Sequence, residues 1–270
     1  MAEQLRVIVA GASGRMGRML VAAVAEHRQA CLVGATERHD SAYLGRDAGE
    51  LANAGTLGVR IVDSLDDCAE ADVLIDFTTP NATLANARYV AAQGMAMVIG
   101  TTGFSAEQLG ELRLALAGAP VVMAANYSVG VNLALNLIRQ AARVLGDDYD
   151  AEIYEAHHRH KVDAPSGTAL AMGKAVAEGR QVALDEVAVY AREGITGARE
   201  RGAIGFSVVR GGNIVGEHRV MFIADEERVE LAHVAADRAV FAKGALRAAV
   251  WLRDRRPGWY SMQDVLSLNA

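Results

Sequence analysis

The sequence predicts an α/β protein in two parts, a doubly wound parallel sheet and a second α+β domain with a mixed or antiparallel sheet. Three observations predict it. The first 128 residues alternate short apolar runs with helically spaced apolar residues, joined by short glycine-bearing turns, which is the pattern of βαβ units. From about Val129 the rhythm changes to one long amphipathic helix and then to several strand candidates. Three of these follow one another with no helix between them, which points to antiparallel or mixed pairing. The predicted domains are 1–128 rejoined by 238–270, and 129–237.

Each element has its own signal. Leu5–Ala10 (LRVIVA) is a short β-branched run, and 15–26 carries Met16, Met19, Leu20, Ala23 and Val24 at helical spacing. Ala30–Thr36 is again strand-like, and 59–62 is a short strand. Residues 71–77 (ADVLIDF) are nearly all apolar, as expected of a strand covered on both faces. A helix over 81–92, a strand over 95–99, a helix over 105–117 and a strand over 121–124 complete the first part. Ser105 with Gln108 forms a capping box, and Ser64 with Asp67 resembles one. The right-handed crossover rule then leaves an open, Rossmann-like sheet as the natural topology. In the second part, helices are predicted over 132–145 and 168–178, with extended segments at 153–159, 187–190, 206–210, 214–222 and 228–234. The helix over 237–252 has the length and apolar stripe to pack back on the first domain.

Composition narrows the function classes. At 270 residues the chain has room for about two domains. Apolar residues are 51% and charged residues 22%, which excludes global disorder. Lys plus Arg is 27 against 33 for Asp plus Glu, a net charge of −6, which argues against non-specific nucleic-acid binding. A local basic pocket for a small anion is still allowed. Cys31 and Cys68 have neither CxxC nor metal-ligand spacing and read as reduced, buried thiols. No apolar run approaches the roughly 18 residues of a spanning helix. The first residues lack the basic start and long apolar stretch of a signal peptide. The expectation is a cytoplasmic protein without a membrane partner.

Gly11, Ala12, Ser13, Gly14, Arg15, Met16 and Gly17 lie between the first strand and the first helix. Glycines there let the backbone turn sharply and approach a pyrophosphate, and the helix N-terminus offers amides and a positive dipole end. The spacing is GxxGxxG rather than GxGxxG, so position carries more weight than pattern. Glu37 ends the second strand, 20 residues after Gly17, where an acid bonds ribose hydroxyls. Arg38 beside it is placed to pair with a 2′-phosphate, so both NADH and NADPH are expected as cofactors. Two further loops follow strands of the same sheet: Gly100, Thr101, Thr102 and Gly103, then Ala124, Ala125, Asn126 and Tyr127. Their small residues would let a nicotinamide ring lie against backbone, with Tyr127 as a wall.

The most chemically loaded stretch is 155–168, EAHHRHKVDAPSGT. His157, His158, Arg159, His160 and Lys161 are five consecutive cationic or imidazole side chains in an acidic chain. Clustered cations lower one another's pKa and attract an anionic substrate. Lys161 is a candidate proton donor and His157 a candidate acid/base. Ser166, Gly167 and Thr168 open a helix after Pro165, and their amides and hydroxyls form a carboxylate cradle. A solvated basic turn and a His-based metal site are the competing readings, but no HExxH or Cys/His companion supports a metal. His27, His39, His218 and His233 are isolated and receive no role.

Taken in order, GASGRMGR, IDFTTP, VIGTTGF, AANYSVGVN, EAHHRHKVDAPSGTAL and REGITGARERGAIGFSVVRGGNIVGEH resemble the 4-hydroxy-tetrahydrodipicolinate (dihydrodipicolinate) reductase family of the diaminopimelate route to lysine. The resemblance spans nearly the whole chain. It implies hydride transfer from NADH or NADPH to a cyclic unsaturated imine dicarboxylate, giving tetrahydrodipicolinate. Gly11 to Met16 would then cradle the cofactor pyrophosphate, and Glu37 and Arg38 would hold the adenosine ribose or its phosphate. Gly100, Thr101 and Thr102, with Ala124 to Tyr127, would line the nicotinamide. His157 would be the proton donor/acceptor and Lys161 the proton donor, while His158, Gly167 and Thr168 would contact substrate. The family also implies a homotetramer built through the second domain's sheet. Thr79 stands where some relatives carry Arg, and Tyr127 where some carry Phe. Two other readings stay open from the residues: a dehydrogenase of another substrate, such as an amino acid, on the same frame, and a non-catalytic nucleotide-sensing module.

Overall fold

The structure is a computed structural model that describes residues 3–268. In chain order it contains β1 (Leu5–Ala10), α1 (Arg15–Ala25), β2 (Ala30–Thr36), α2 (Ala48–Leu51), β3 (Ile61–Val62), β4 (Val73–Asp76), α3 (Pro80–Gln93), β5 (Ala96–Ile99), α4 (Ala106–Ala115) and β6 (Pro120–Met123). Then come α5 (Val129–Leu145), β7 (Asp150–His157), α6 (Gly167–Arg180), α7 (Leu184–Val187), β8 (Ala188–Val189), β9 (Ile204–Arg210), β10 (Gly216–Ile223) and β11 (Arg228–Ala235). The chain ends with α8 (Ala239–Leu252), β12 (Gly258–Tyr260) and α9 (Met262–Val265). Two compact units result: one runs to Val129 and resumes at Ala239, and the other is Gly130–Arg238.

The first unit is built on seven parallel strands in the order β12-β6-β5-β4-β1-β2-β3. The strand order reverses between β1 and β4, where open α/β sheets bind ligands beyond the strand carboxyl ends. Alternate residues of β1 feed opposite faces. Val7 and Val9 pack with Leu20 and Val24 of α1 and with Leu246 and Ala249 of α8. Ile8 packs with Leu74, Met97 and Ile99 and with Leu84, Ala87 and Val90 of α3. The small residues of α8 explain its approach to the sheet: a Cβ on Gly244 would sit 1.8 Å from the Tyr127 carbonyl oxygen. Ser105 makes the full capping box with Gln108, whereas Ser64 caps only a 3-10 turn, Leu65–Asp67, through the Asp66 amide. The three-residue edge strand β12, with α2 and α9, was not expected, because segments this short carry no measurable period. Cys31 and Cys68 are unpaired and half-buried rather than fully buried.

The second unit holds a mixed sheet, β11-β10-β7-β9-β8. β10 runs antiparallel to β7 and β11, while β9 runs parallel to β7 and β8. The parallel β7–β9 pair follows from the long return through α6, which a hairpin does not provide. One sheet face packs Ile153, Phe206, Val220 and Phe222 against Met172 and Val176 of α6 and Ile138 of α5. A Cβ on Gly173 would meet the Phe206 ring at 2.5 Å, so α6 can lie this close only with glycine there. The carboxyl end of β7 and the start of α6 are thereby fixed beside each other, and the loop 158–165 between them inherits its position.

Candidate active site

The glycine loop has the form a pyrophosphate needs. Gly11 leaves β1 at φ +67°, where a side chain is strained, and its carbonyl accepts the Gly14 amide at 3.0 Å. A Cβ on Gly17 would stand 2.0 Å from the Gly11 carbonyl oxygen, so this glycine lets α1 sit directly on the loop. α1 starts from Gly14 without a side-chain cap, unlike α4 and α6. A cavity of about 310 Å³ opens beside it, lined by Gly11, Glu37, Arg38, Asp63, Thr78 and Thr79 among others. Glu37 lies at the end of β2 and accepts hydrogen bonds from the Ser13 hydroxyl at 2.5 Å and the Ser13 amide at 3.2 Å. Arg38 is exposed and paired with Asp40 at 3.0 Å. An uncapped helix start, a backbone-lined turn and an acid beside an adenosine-sized cavity fit a dinucleotide.

Two of the residues expected to line the nicotinamide turn inward. Tyr127 is 1% exposed, and its hydroxyl donates to the carbonyls of Ile99 (2.8 Å) and Val122 (3.0 Å). Its ring packs 5.3 Å from Phe77, so the side chain braces the strand ends from within. Burial pushes its hydroxyl pKa far up, so it stays neutral. The Thr101 side chain is also buried: its hydroxyl bonds Asp76 at 3.2 Å and accepts from Thr83 at 2.9 Å and from the Thr78 amide at 3.0 Å. Gly100 is small for the Phe77 ring, which a Cβ would strike at 2.1 Å. Thr102 and Ala125 are exposed, Ala124 is half-buried, and the Asn126 side chain accepts the Ser128 amide at 2.8 Å. What these loops offer a ligand is mainly backbone.

The cationic segment starts on β7 and runs into the following loop. The sheet register decides its neighbours: Arg210 of β9 stands opposite His157, and His218 of β10 stands opposite Glu155. Glu155 is 1% exposed. It accepts from His157 Nδ1 (2.6 Å), Arg210 Nη1 (2.7 Å), Arg210 Nη2 (2.8 Å) and the Ser166 amide (2.9 Å). Burial alone would raise its pKa, but these donors hold it below the usual carboxylate range. Lys161 is paired with Asp163 at 2.9 Å, and its side chain keeps 21% of its surface in solvent. His158 lies 3.0 Å from Arg238, and desolvation with that cation lowers its pKa. Glu155, Arg210 and His218 received no role from sequence. The missed signal was the two-residue spacing of Glu155 and His157, which puts both on one strand face.

Ser166 differs from expectation. Its amide is held by Glu155, and its hydroxyl accepts the Ala169 amide at 3.1 Å and bonds His218 Nε2 at 3.1 Å. At 2% exposure it pins the start of α6 and presents no donor outward. Gly167 is exposed and Thr168 half-buried, so the cradle is left to them. Among the described residues, no group of three or more His, Cys, Asp or Glu could hold a metal ion, and no helix is long and apolar enough to cross a membrane.

His218 gives the site a pH signature. Burial first, then the nearby His157, lower its pKa from 6.5 to about 4, against the opposing pull of Glu155. The unfolded chain binds this proton near pH 6.5, whereas the fold excludes it until about pH 4. Stability is therefore full above the higher value and falls toward the lower one, by about 1.4 kcal/mol per pH unit from this group. His218→Gln is expected to flatten that acid slope in denaturant titrations between pH 6.5 and 4; an unchanged slope contradicts the assignment.

Comparison with known proteins identifies the family. The family description "Dihydrodipicolinate reductase, N-terminus" matches residues 5–127, and "Dihydrodipicolinate reductase, C-terminus" matches 130–266. A dipicolinate-bound dihydrodipicolinate reductase from Paenisporosarcina sp. TG-14 superposes with a TM-score of 0.76 at 24% identity, covering 97% of this chain and 98% of that one. GenD2 of gentamicin A biosynthesis, solved with NAD, gives a TM-score of 0.61 at 16% identity over 99% and 92% of the two chains. An amine dehydrogenase from Mycobacterium smegmatis gives 0.58 at 15% identity over 97% and 96%. These likenesses show a shared fold, while the two family matches together cover almost all of the sequence: the chain belongs to the dihydrodipicolinate reductase family, whose members are NAD(P)H-dependent oxidoreductases.

Proposed function

We propose that the chain performs its family's reduction with the cofactor pyrophosphate on Gly11–Met16 and the dicarboxylate on the loop that runs from His157 to Thr168. The product of this step in lysine biosynthesis is tetrahydrodipicolinate. The observation that carries the reading is the convergence, at the carboxyl end of β7, of an imidazole, an ammonium and the opening turn of α6. When bound, the dihydronicotinamide supplies a hydride. Addition of a hydride to a conjugated imine leaves negative charge on the ring, which must be stabilised and protonated. Lys161 and His157 supply the proton. The Gly167 amide, Thr168 and His158 orient the carboxylates. Asp163 holds the Lys161 ammonium until an anionic substrate competes for it.

The finer features are proposals on the same footing. Arg38 would exchange Asp40 for a 2′-phosphate and so admit NADPH as well as NADH. The second unit's sheet has helices on one face only. Its other face, with Tyr154, Val209, Arg219 and Met221, would join four copies in a cytoplasmic homotetramer. A small dicarboxylate is the partner that the cationic loop fits.

His157→Gln and Lys161→Ala are each expected to lower turnover about 10²–10⁴-fold while NADH affinity changes little. Steady-state oxidation of NADH, with substrate freshly generated from aspartate semialdehyde and pyruvate, checks this. Wild-type turnover in either variant would sink the assigned roles. Arg38→Ala is expected to weaken NADPH roughly tenfold or more and NADH little, since it removes a charge-assisted contact to phosphate alone. Equal effects on both cofactors in a binding titration contradict the Arg38 role.

A further inference from the structure

Ala151, Ile153, Glu155 and His157 share one face of β7. The first two belong to the apolar core, and the next two are a buried acid and a buried imidazole. Glu155 is fixed from three directions: by Arg210 of β9 through both terminal guanidinium nitrogens, by the Ser166 amide at the start of α6, and by His157 Nδ1 at 2.6 Å. With an ion-paired Arg and a backbone donor already in place, the carboxylate stays ionised, and an ionised carboxylate only accepts. The hydrogen in the short Glu155–His157 contact must therefore sit on Nδ1. Neutral His157 then carries its lone pair on Nε2. That nitrogen faces Gly216 of β10, where a Cβ would lie 3.1 Å away. Glycine keeps the space beside Nε2 clear.

We propose that Glu155 is the positioning residue for His157: its carboxylate selects the Nδ1–H tautomer and the ring orientation, making Nε2 the atom that takes up and delivers the proton. The proposal rests on the proton role assigned to His157 above. In a turnover cycle Nε2 gains a proton from solvent and gives it to the reduced ring. Nδ1–H is retained throughout, and Glu155 stabilises the transient imidazolium without being protonated itself. The other ionisable groups facing this pair are His158 on the loop side of β7, Arg210 from β9, His218 from β10 with His233 of β11 beyond it, and Lys161 and Asp163 from the following loop. None of these is positioned on Nδ1. Arg210 acts one step further back, by holding Glu155 in place.

The test is imidazole 15N NMR of the full chain at mildly alkaline pH, with the His157 signal identified by its loss in His157→Gln. Wild type is expected to show a protonated Nδ1 and a bare Nε2. Glu155→Gln, whose amide can donate to Nδ1, is expected to populate the opposite tautomer and to lower kcat about a hundredfold or more, with a small change in KM. Adding Glu155→Gln to His157→Gln is expected to cost far less than Glu155→Gln costs alone, since the tautomer effect of Glu155 on turnover runs through that ring. If Glu155→Gln fails to fold, combining it with Arg210→Met removes the buried charge pair as a unit and carries the same expectations. Protonated Nε2 in wild type, an unchanged tautomer in the variant, or a further loss in the double variant as large as that of Glu155→Gln alone overturns the proposal. His157→Gln alone tests the underlying proton role. Wild-type turnover there, alongside the predicted tautomer shift, would place the failure in that role and not in the assignment of Nδ1–H.

Discussion

A carboxylate with almost no solvent contact must be either neutralised or saturated with donors, and at Glu155 the fold chooses the second. The rest of the second unit's site depends on that choice. Its donors come from β7, β9 and α6, so the single negative charge draws three elements to one point. The loop between β7 and α6 hangs on the same frame. Arg210 also donates to the Asp163 carbonyl at 2.7 Å, the Gly211 amide to the His157 carbonyl at 3.0 Å, and the Arg159 amide to the Gly212 carbonyl at 3.2 Å. Exposed cations are therefore carried by a backbone that is itself held. This suits anion capture, where immobilising a lysine on binding would otherwise cost conformational entropy.

The first unit solves a related problem in the same way. Asp76, at the carboxyl end of β4, is fully buried and accepts from the Thr78 amide (2.9 Å), the Thr78 hydroxyl (2.6 Å), the Thr101 hydroxyl (3.2 Å) and Asn86 (2.9 Å). It gathers the loops after β4 and β5 and the helix α3, as Glu155 gathers the elements around β7. With side chains engaged inward, the loops present backbone outward. A dinucleotide is bound largely through backbone amides and small residues, so loops whose threonine and Tyr127 side chains are engaged inward still offer a cofactor their backbone.

How much of this was legible in the sequence follows from the range of each interaction. The parallel sheet was readable because its strands are short apolar runs with helices between them, and the glycine loop because its glycines are closely spaced and sit directly between the first strand and the first helix. The cationic segment was readable because its cationic and imidazole side chains are consecutive in sequence. Arg210 and His218 lie more than fifty positions from Glu155 in sequence, and only strand register brings them beside it. Ser166, Thr101 and Tyr127 show the limit of local reading: their side-chain direction is set by buried partners that no local pattern reveals. β12 and α9 were missed because three or four residues carry no period.

The proposed division of labour puts the nucleotide on the glycine loop of one unit and the dicarboxylate on the cationic loop of the other. Amide hydrogen exchange by mass spectrometry, with NADH and with dipicolinate added separately and together, tests it directly. The account predicts that NADH slows exchange over 11–17 and around Glu37, and that dipicolinate slows it over 158–168. Protection by dipicolinate that leaves 158–168 unchanged, or NADH protection that misses the glycine loop, would contradict it.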